Sequence, residues 1–193
     1  STLFPYTTLF RSLAAIAYMV DVVPNGSYHH SWRVALLAER LTVAAAPEMK
    51  GDIFYTGLLQ DMATVGAPKH MTEYTSLTDQ VRDVHIRSHA QRASSLLECL
   101  PGMREVAHNV YSHHERWDGG GYPEGRVGDD IPLGSRLLHI ADAVTSSGCL
   151  TSSLEFGEYL RSLAHSTGYA WPKNVWETFI ETVSDADFYR SLM

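Results

Sequence analysis

Through most of this chain apolar residues recur at three- and four-residue steps, and that period limits the fold more than any other feature. Val34, Leu37, Ala38 and Leu41 place one apolar face on a helix over Ser31–Ala46, which Pro47 ends. Asp52 is placed to cap a second helix running through Phe54, Leu58 and Leu59 to Met62. Gly66, Pro68 and the polar run to Thr75 read as a loop, after which Leu77, Val81, Val84 and Ile86 lead into a long helix ending near Leu100, ahead of Pro101-Gly102. A further helix from Met103 runs to His113-His114, and Leu133–Val144, Leu154–Leu163 and Val175–Val183 supply three more helical windows. No period-two run is long enough for a sheet. The expected fold class is all-α, a single helical bundle.

At 193 residues and 45% hydrophobic composition the chain suits one soluble domain. A formal charge of −7 excludes a general binder of polymeric nucleic acid, which needs a basic face, but not a small anionic substrate beside bound cations. Cys99 and Cys149 form no disulfide framework, so a reducing cytoplasm is expected. Leu13–Val23 is apolar but too short to insert in a membrane and is broken by Asp21; it reads as a helix packed on the domain. The run from Thr2 to Ser12 resembles the translation of a short-read sequencing adapter. Residues 1–12 are therefore expected to be non-native and residues 13–193 to form the domain, as a fragment of a longer protein.

Side chains able to bind metal are spread one or two to a helix. His30 precedes one helix, Asp61 ends the next, His89 lies within a third, His113 and His114 end a fourth, and Asp142 lies in the helix after the segment Gly119–Ile131. A bundle builds a metal site in this way, each helix offering inward ligands to a shared centre. Imidazole and carboxylate together suit divalent iron, manganese, zinc or nickel. Two such ions about 3.5–4 Å apart stabilise both the attacking and the leaving oxygen of an in-line displacement at phosphorus. Histidines outside this set, such as His70, His85, His139 and His165, are expected to have ordinary structural explanations. Gly119–Ile131 is too rich in glycine, aspartate and proline for a helix and reads as a flexible loop beside the centre.

His113-His114-Glu115, Asp118-Gly119, Gly121-Tyr122-Pro123 and Gly125, followed by Ile131-Pro132-Leu133-Gly134 and Ile140-Ala141-Asp142, resemble the signature of HD-GYP domains. These are a subset of the HD phosphohydrolase superfamily, phosphodiesterases of the bacterial second messenger cyclic di-GMP. The resemblance runs from about His30 to Val144 and more loosely to the C-terminus. It implies an HD-type bundle with a metal centre of one or two divalent ions and a cyclic dinucleotide substrate. His30, Asp61, His89, His113, His114 and Asp142 match its metal ligands, with Asp61 bridging and Asp61, His113 and His114 at the catalytic centre. Gly121, Tyr122 and Pro123 match the substrate-binding segment, with Tyr122 on the substrate side of the pocket. The resemblance further implies a bacterial cytoplasmic signalling protein with an upstream sensor or receiver domain, and a homodimer.

The chain departs from that pattern where the histidine of the HD pair belongs, which is Gln60 here. An amide is a poor transition-metal ligand beside an imidazole, so one metal position is expected to be weakened and hydrolysis reduced. Thr64 stands where the family has a lysine, Gly26 where some members offer an extra glutamate, and Thr145–Cys149 where many carry a basic segment. A catalytically silent module that binds nucleotide or partner proteins is the alternative.

Overall fold

The helix expected over Ser31–Ala46 is the centre of the molecule. In a computed structural model, which describes residues 3–21, 29–64, 84–146 and 153–184, it is α2 (His30–Ala45), and Val34, Ala35, Leu37, Ala38 and Leu41 in it are completely buried. Around it lie α1 (Leu3–Asp21), α3 (Lys50–Leu59), α4 (Val84–Glu98), α5 (Arg104–Tyr111), α6 (Leu133–Ser146), α7 (Ser153–Ala164) and α8 (Lys173–Val183). The described residues contain no strand, only isolated bridges at Asp118–Val127 and Thr167–Trp171, so the all-α expectation holds. None of their helices is long and apolar enough to cross a membrane.

α2 feeds two apolar cores. Val34, Leu37 and Leu41 pack with Leu137, Ile140 and Val144 of α6 and with Trp171 and Phe179, while Ala35 joins Leu58 and Leu59 of α3, Ala93 and Leu97 of α4 and Val106 and Val110 of α5. Each fully buried leucine or valine contributes on the order of 1.5–3 kcal/mol. Gly57 sets the spacing of α3 on α2, since a Cβ there would stand 2.6 Å from the Ala35 Cα. Leu13 and Ala17 of α1 close the second core, as expected for a helix packed on the domain. α1 runs unbroken from Leu3 through Ser12, the stretch expected to be non-native, and the Phe10 ring lies 6.3 Å from those of both Trp32 and Phe54.

Three local readings are corrected. Asp52 does not cap α3; Met49 occupies that position without a side-chain bond, and Asp52 sits in the first turn, where a carboxylate complements the helix dipole. α3 ends at Leu59, short of Met62, because Gln60 and Asp61 turn into the short 3₁₀ helix Met62–Thr64. α5 ends at Tyr111, so His113 and His114 lie in the turn beyond it. The expected loop from Gly66 to Thr75, the lead-in at Leu77 and Val81, His70, Gly26 and the stretch from Ser147 to Cys149 lie outside the described residues; Cys99 is a free thiol.

The start of α2, which carries His30, is fixed from ten residues upstream. The Asp21 carboxylate accepts the Ser31 amide on both oxygens, at 3.1 and 3.2 Å, and the Ser31 hydroxyl at 2.7 Å. It thus satisfies one of the amides that a helix start leaves unpaired. Burial lifts the Asp21 carboxyl above its ordinary range, and the Ser31 bonds only partly offset it.

Candidate metal centre

All six candidate ligands meet in one place. Asp61 lies at its middle, with Oδ1 3.4 Å from His89 Nε2 and Oδ2 3.8 Å from His30 Nε2. On the first side, His89 Nε2 is 3.3 Å from His113 Nε2 and 3.2 Å from His114 Nε2. On the second, His30 Nε2 is 3.1 Å from Asp142 Oδ1. The ligand atoms of His89, His113 and His114, and those of His30, Asp61 and Asp142, each fall within 4.8 Å of one another.

Backbone carbonyls hold two of the rings for this purpose. His89 Nδ1 faces Ile86 O and His113 Nδ1 faces Val110 O at 2.6 Å, so each Nδ1 donates to a backbone carbonyl and each Nε2 is turned to the centre. Burial, then the neighbouring His89, pushes the His113 imidazole down to about 4, and burial with His113 and His89 lowers His114 well below its usual range. Three imidazoles and one carboxylate oxygen fit a divalent cation in donor type.

The second group behaves differently. Gln60 is wholly buried, and its Nε2 lies 3.1 Å from Asp142 Oδ1 and 3.3 Å from Asp61 Oδ2. Burial alone would raise Asp142, but the hydrogen bond and charge of His30 outweigh it, with His113 and Gln60 adding to them, and hold the carboxyl well below the usual range. Thr64 does not face the centre as a lysine replacement; its hydroxyl donates to the Asp61 carbonyl at 2.7 Å and closes the turn. At the far end of α6 the Ser146 hydroxyl donates to Asp142 Oδ1 at 3.2 Å.

Gly121, Tyr122 and Pro123 reach the same place. Gly121 is required by crowding, because a Cβ there would stand 2.4 Å from both Arg116 N and His114 O. The Tyr122 amide donates to His114 O at 3.1 Å, and its ring stacks on the His114 imidazole. Its hydroxyl is buried without a hydrogen-bond partner among the described residues, and burial, then the charges of Asp61 and Asp142, raises its pKa, so it stays a proton donor.

The loop is not flexibly held, contrary to expectation. The buried Glu115 carboxylate accepts the amides of Glu124, Gly125 and Arg126 at 2.7, 3.2 and 3.0 Å. The Glu115 carbonyl accepts His139 Nδ1 at 2.8 Å, which gives His139 the structural role expected of it. Arg116 clamps Asp118 through two bonds of 3.0 and 2.7 Å. Sequence reasoning gave Glu115 no task. The signal was present, since an acidic residue directly after two histidines and before a glycine-rich loop is the acceptor such a loop's free amides need.

Fold and site together define an all-helical protein with a candidate divalent-metal centre. The chain belongs to the HD domain family, whose model matches residues 15–146. It is 28% identical over 155 residues, 78% of this chain and 36% of the relative, to 3'3'-cGAMP-specific phosphodiesterase 1 of Vibrio cholerae serotype O1. It is 31% identical over 130 residues, 60% of this chain and 30% of the relative, to a probable cyclic di-GMP phosphodiesterase of the same organism. Among solved structures, the cyclic GMP-AMP specific phosphodiesterase V-cGAP3 of V. cholerae superposes with a TM-score of 0.75 at 19% identity, covering 93% of this chain and 50% of that one. The chain thus spans about a third of the length of these two curated relatives.

Proposed function

We propose that this chain is a divalent-metal-dependent phosphodiesterase domain of the HD-GYP type that opens a cyclic dinucleotide, cyclic di-GMP or its mixed guanine–adenine counterpart. The observation that carries this reading is the convergence of His89, His113 and His114 on Asp61, with the two backbone-held Nε2 atoms turned inward. Bound there, a divalent cation supplies Lewis acidity, offsetting phosphoryl charge and lowering the pKa of water. Asp61, His113 and His114 hold that chemistry in place, and His30 and Asp142 complete the ligand set proposed from the sequence. Tyr122, between Gly121 and Pro123, offers its free hydroxyl to a phosphoryl oxygen. In hydrolysis water adds to phosphorus, the ester bond to the ribose oxygen breaks, and the water's proton ends on that oxygen. Names of relatives that act on cyclic dinucleotides support the substrate class.

We place the domain in a bacterial cytoplasm, as the output part of a longer signalling protein with an upstream sensor or receiver domain and a homodimeric partner copy. Residues 13–193 form that domain and 1–12 are a non-native leader. The catalytically silent module is favoured by one observation, the Gln60 amide turned toward both carboxylates.

The test is hydrolysis of cyclic di-GMP and of 3'3'-cGAMP by the purified chain loaded in turn with iron, manganese, zinc or nickel, beside a His89→Ala variant. Metal-dependent turnover that His89→Ala abolishes supports the enzyme. A loaded, folded chain that binds a dinucleotide without turnover establishes the silent module, and one that neither binds nor cleaves either nucleotide overturns both readings.

A further inference from the structure

The place where a second cation would sit, between Asp61 Oδ2 and Asp142 Oδ1, is faced by an amide nitrogen. Gln60 Nε2 lies 3.3 Å from the first oxygen and 3.1 Å from the second. An amide NH₂ carries two donor hydrogens and no lone pair for a metal, so it satisfies two carboxylates where an imidazole would supply a ligand. Turning the amide over would press Oε1 against two carboxylate oxygens with no proton among them. The orientation present leaves Oε1 buried without a partner among the described residues. Such an orphan acceptor is destabilising, and two hydrogen bonds to charged groups offset it. Asp142 Oδ1 also receives His30 Nε2 at 3.1 Å and the Ser146 hydroxyl at 3.2 Å, which fills its remaining acceptor sites. On the side formed by His89, His113 and His114, three ring nitrogens converge instead.

We infer that this chain takes a single divalent cation, on His89, His113, His114 and Asp61, and that the Gln60 amide closes the second position by cross-linking Asp61 to Asp142. The inference rests on the metal-centre reading above and specifies its stoichiometry. Gln60 then acts as an internal substitute for the second ion. It keeps the two carboxylates together and Asp61 oriented toward His89, without the charge or Lewis acidity of a metal.

The experiment counts ions and does not depend on turnover. The purified chain is loaded anaerobically with excess manganese(II), desalted, and analysed for metal per chain by mass spectrometry and for spin coupling by electron paramagnetic resonance. The wild type is expected to hold one ion with the six-line spectrum of isolated manganese(II). Gln60→His is expected to hold two, with the broadened multiline spectrum of a coupled pair. Gln60→Glu, which keeps the size and supplies a ligand oxygen, repeats the test if the histidine variant does not fold. Two coupled ions in the wild type overturn this inference while leaving the metal centre standing. No bound ion in the wild type overturns the metal centre as well. Folded Gln60→His and Gln60→Glu variants that both remain at one ion show that Gln60 does not close the position, and overturn it too.

Discussion

The Tyr122 ring lies on the His114 imidazole, centroids 4.7 Å apart and planes 27° from parallel, so a residue of the glycine-rich loop and a candidate metal ligand share one surface. The Tyr122 amide also donates to the His114 carbonyl, which ties the two residues through the backbone as well. A displacement of either is therefore transmitted to the other.

That contact separates the ring from its hydroxyl. Tyr122→Phe keeps the stacking and removes only the unpartnered donor, so folding and metal content should be unchanged. Loss of a hydrogen bond to a charged phosphoryl oxygen costs about 1.5–3 kcal/mol, so kcat/KM for a cyclic dinucleotide should fall roughly 10- to 150-fold. Steady-state hydrolysis, with dinucleotide affinity measured separately, checks this. An unchanged kcat/KM would remove Tyr122 from the substrate side.

Glu115 carries three loop amides on one buried carboxylate. Glu115→Gln keeps the shape but replaces one acceptor oxygen by a donor that faces other donors. A loss of about 2 kcal/mol or more in unfolding free energy is expected. Amide hydrogen exchange at Glu124, Gly125 and Arg126 should quicken more than exchange in α2. Equal acceleration in both would mean that the carboxylate does not act on the loop in particular.

The metal-free protein should lose stability on acidification below neutral pH. His113, His114 and His139 are each shifted downward, first by burial. Below about 6.5 the unfolded chain takes up protons that the folded chain refuses, so stability falls as pH drops toward about 4, the His113 value. His30 opposes this, because Asp142 and its neighbours raise its pKa despite burial. Its contribution is full below about 6.5 and fades as pH rises through the raised value. The burial-raised Asp21 carboxyl also favours the folded state at lower pH. With three groups against two, the melting temperature without metal should still be lower at pH 5 than at pH 7. A flat profile would contradict the burial of these rings.

Chelation should destabilise the loaded protein. A cation held only by the folded state stabilises it by about 2.7 kcal/mol when present at 100 times its dissociation constant. Adding a chelator to wild type should therefore lower the melting temperature by several degrees, whereas His89→Ala should show little change. An equal drop in the variant would place the ion elsewhere.

The large elements were legible because they rest on burial. The period of Val34, Leu37, Ala38 and Leu41 located α2, and the helix-by-helix spread of His30, Asp61, His89, His113, His114 and Asp142 was enough to expect them to converge. The unread parts depend on who accepts whose proton. Asp21 looked like a break in an apolar stretch and is the acceptor that holds Ser31 in the first turn of α2. Glu115 looked like one letter of a motif and is the anchor of a loop. Gln60 was expected to be a weak ligand, but spacing cannot tell whether an amide presents its oxygen or its nitrogen, and the two adjoining carboxylates decide that only once they are placed.

α2 contributes to both apolar cores, with Val34, Leu37 and Leu41 on one side and Ala35 on the other. Neither core has a wall of its own there, so neither half of the domain can melt while the other survives. Damage at the C-terminal helices will be felt at His30 through the same helix, and the domain should respond to heat, denaturant or mutation as one cooperative unit. Robustness and fragility therefore have a common source: α2, together with α3, which sends Ile53 into one core and Leu58 and Leu59 into the other, fastens the two halves and releases both when it fails.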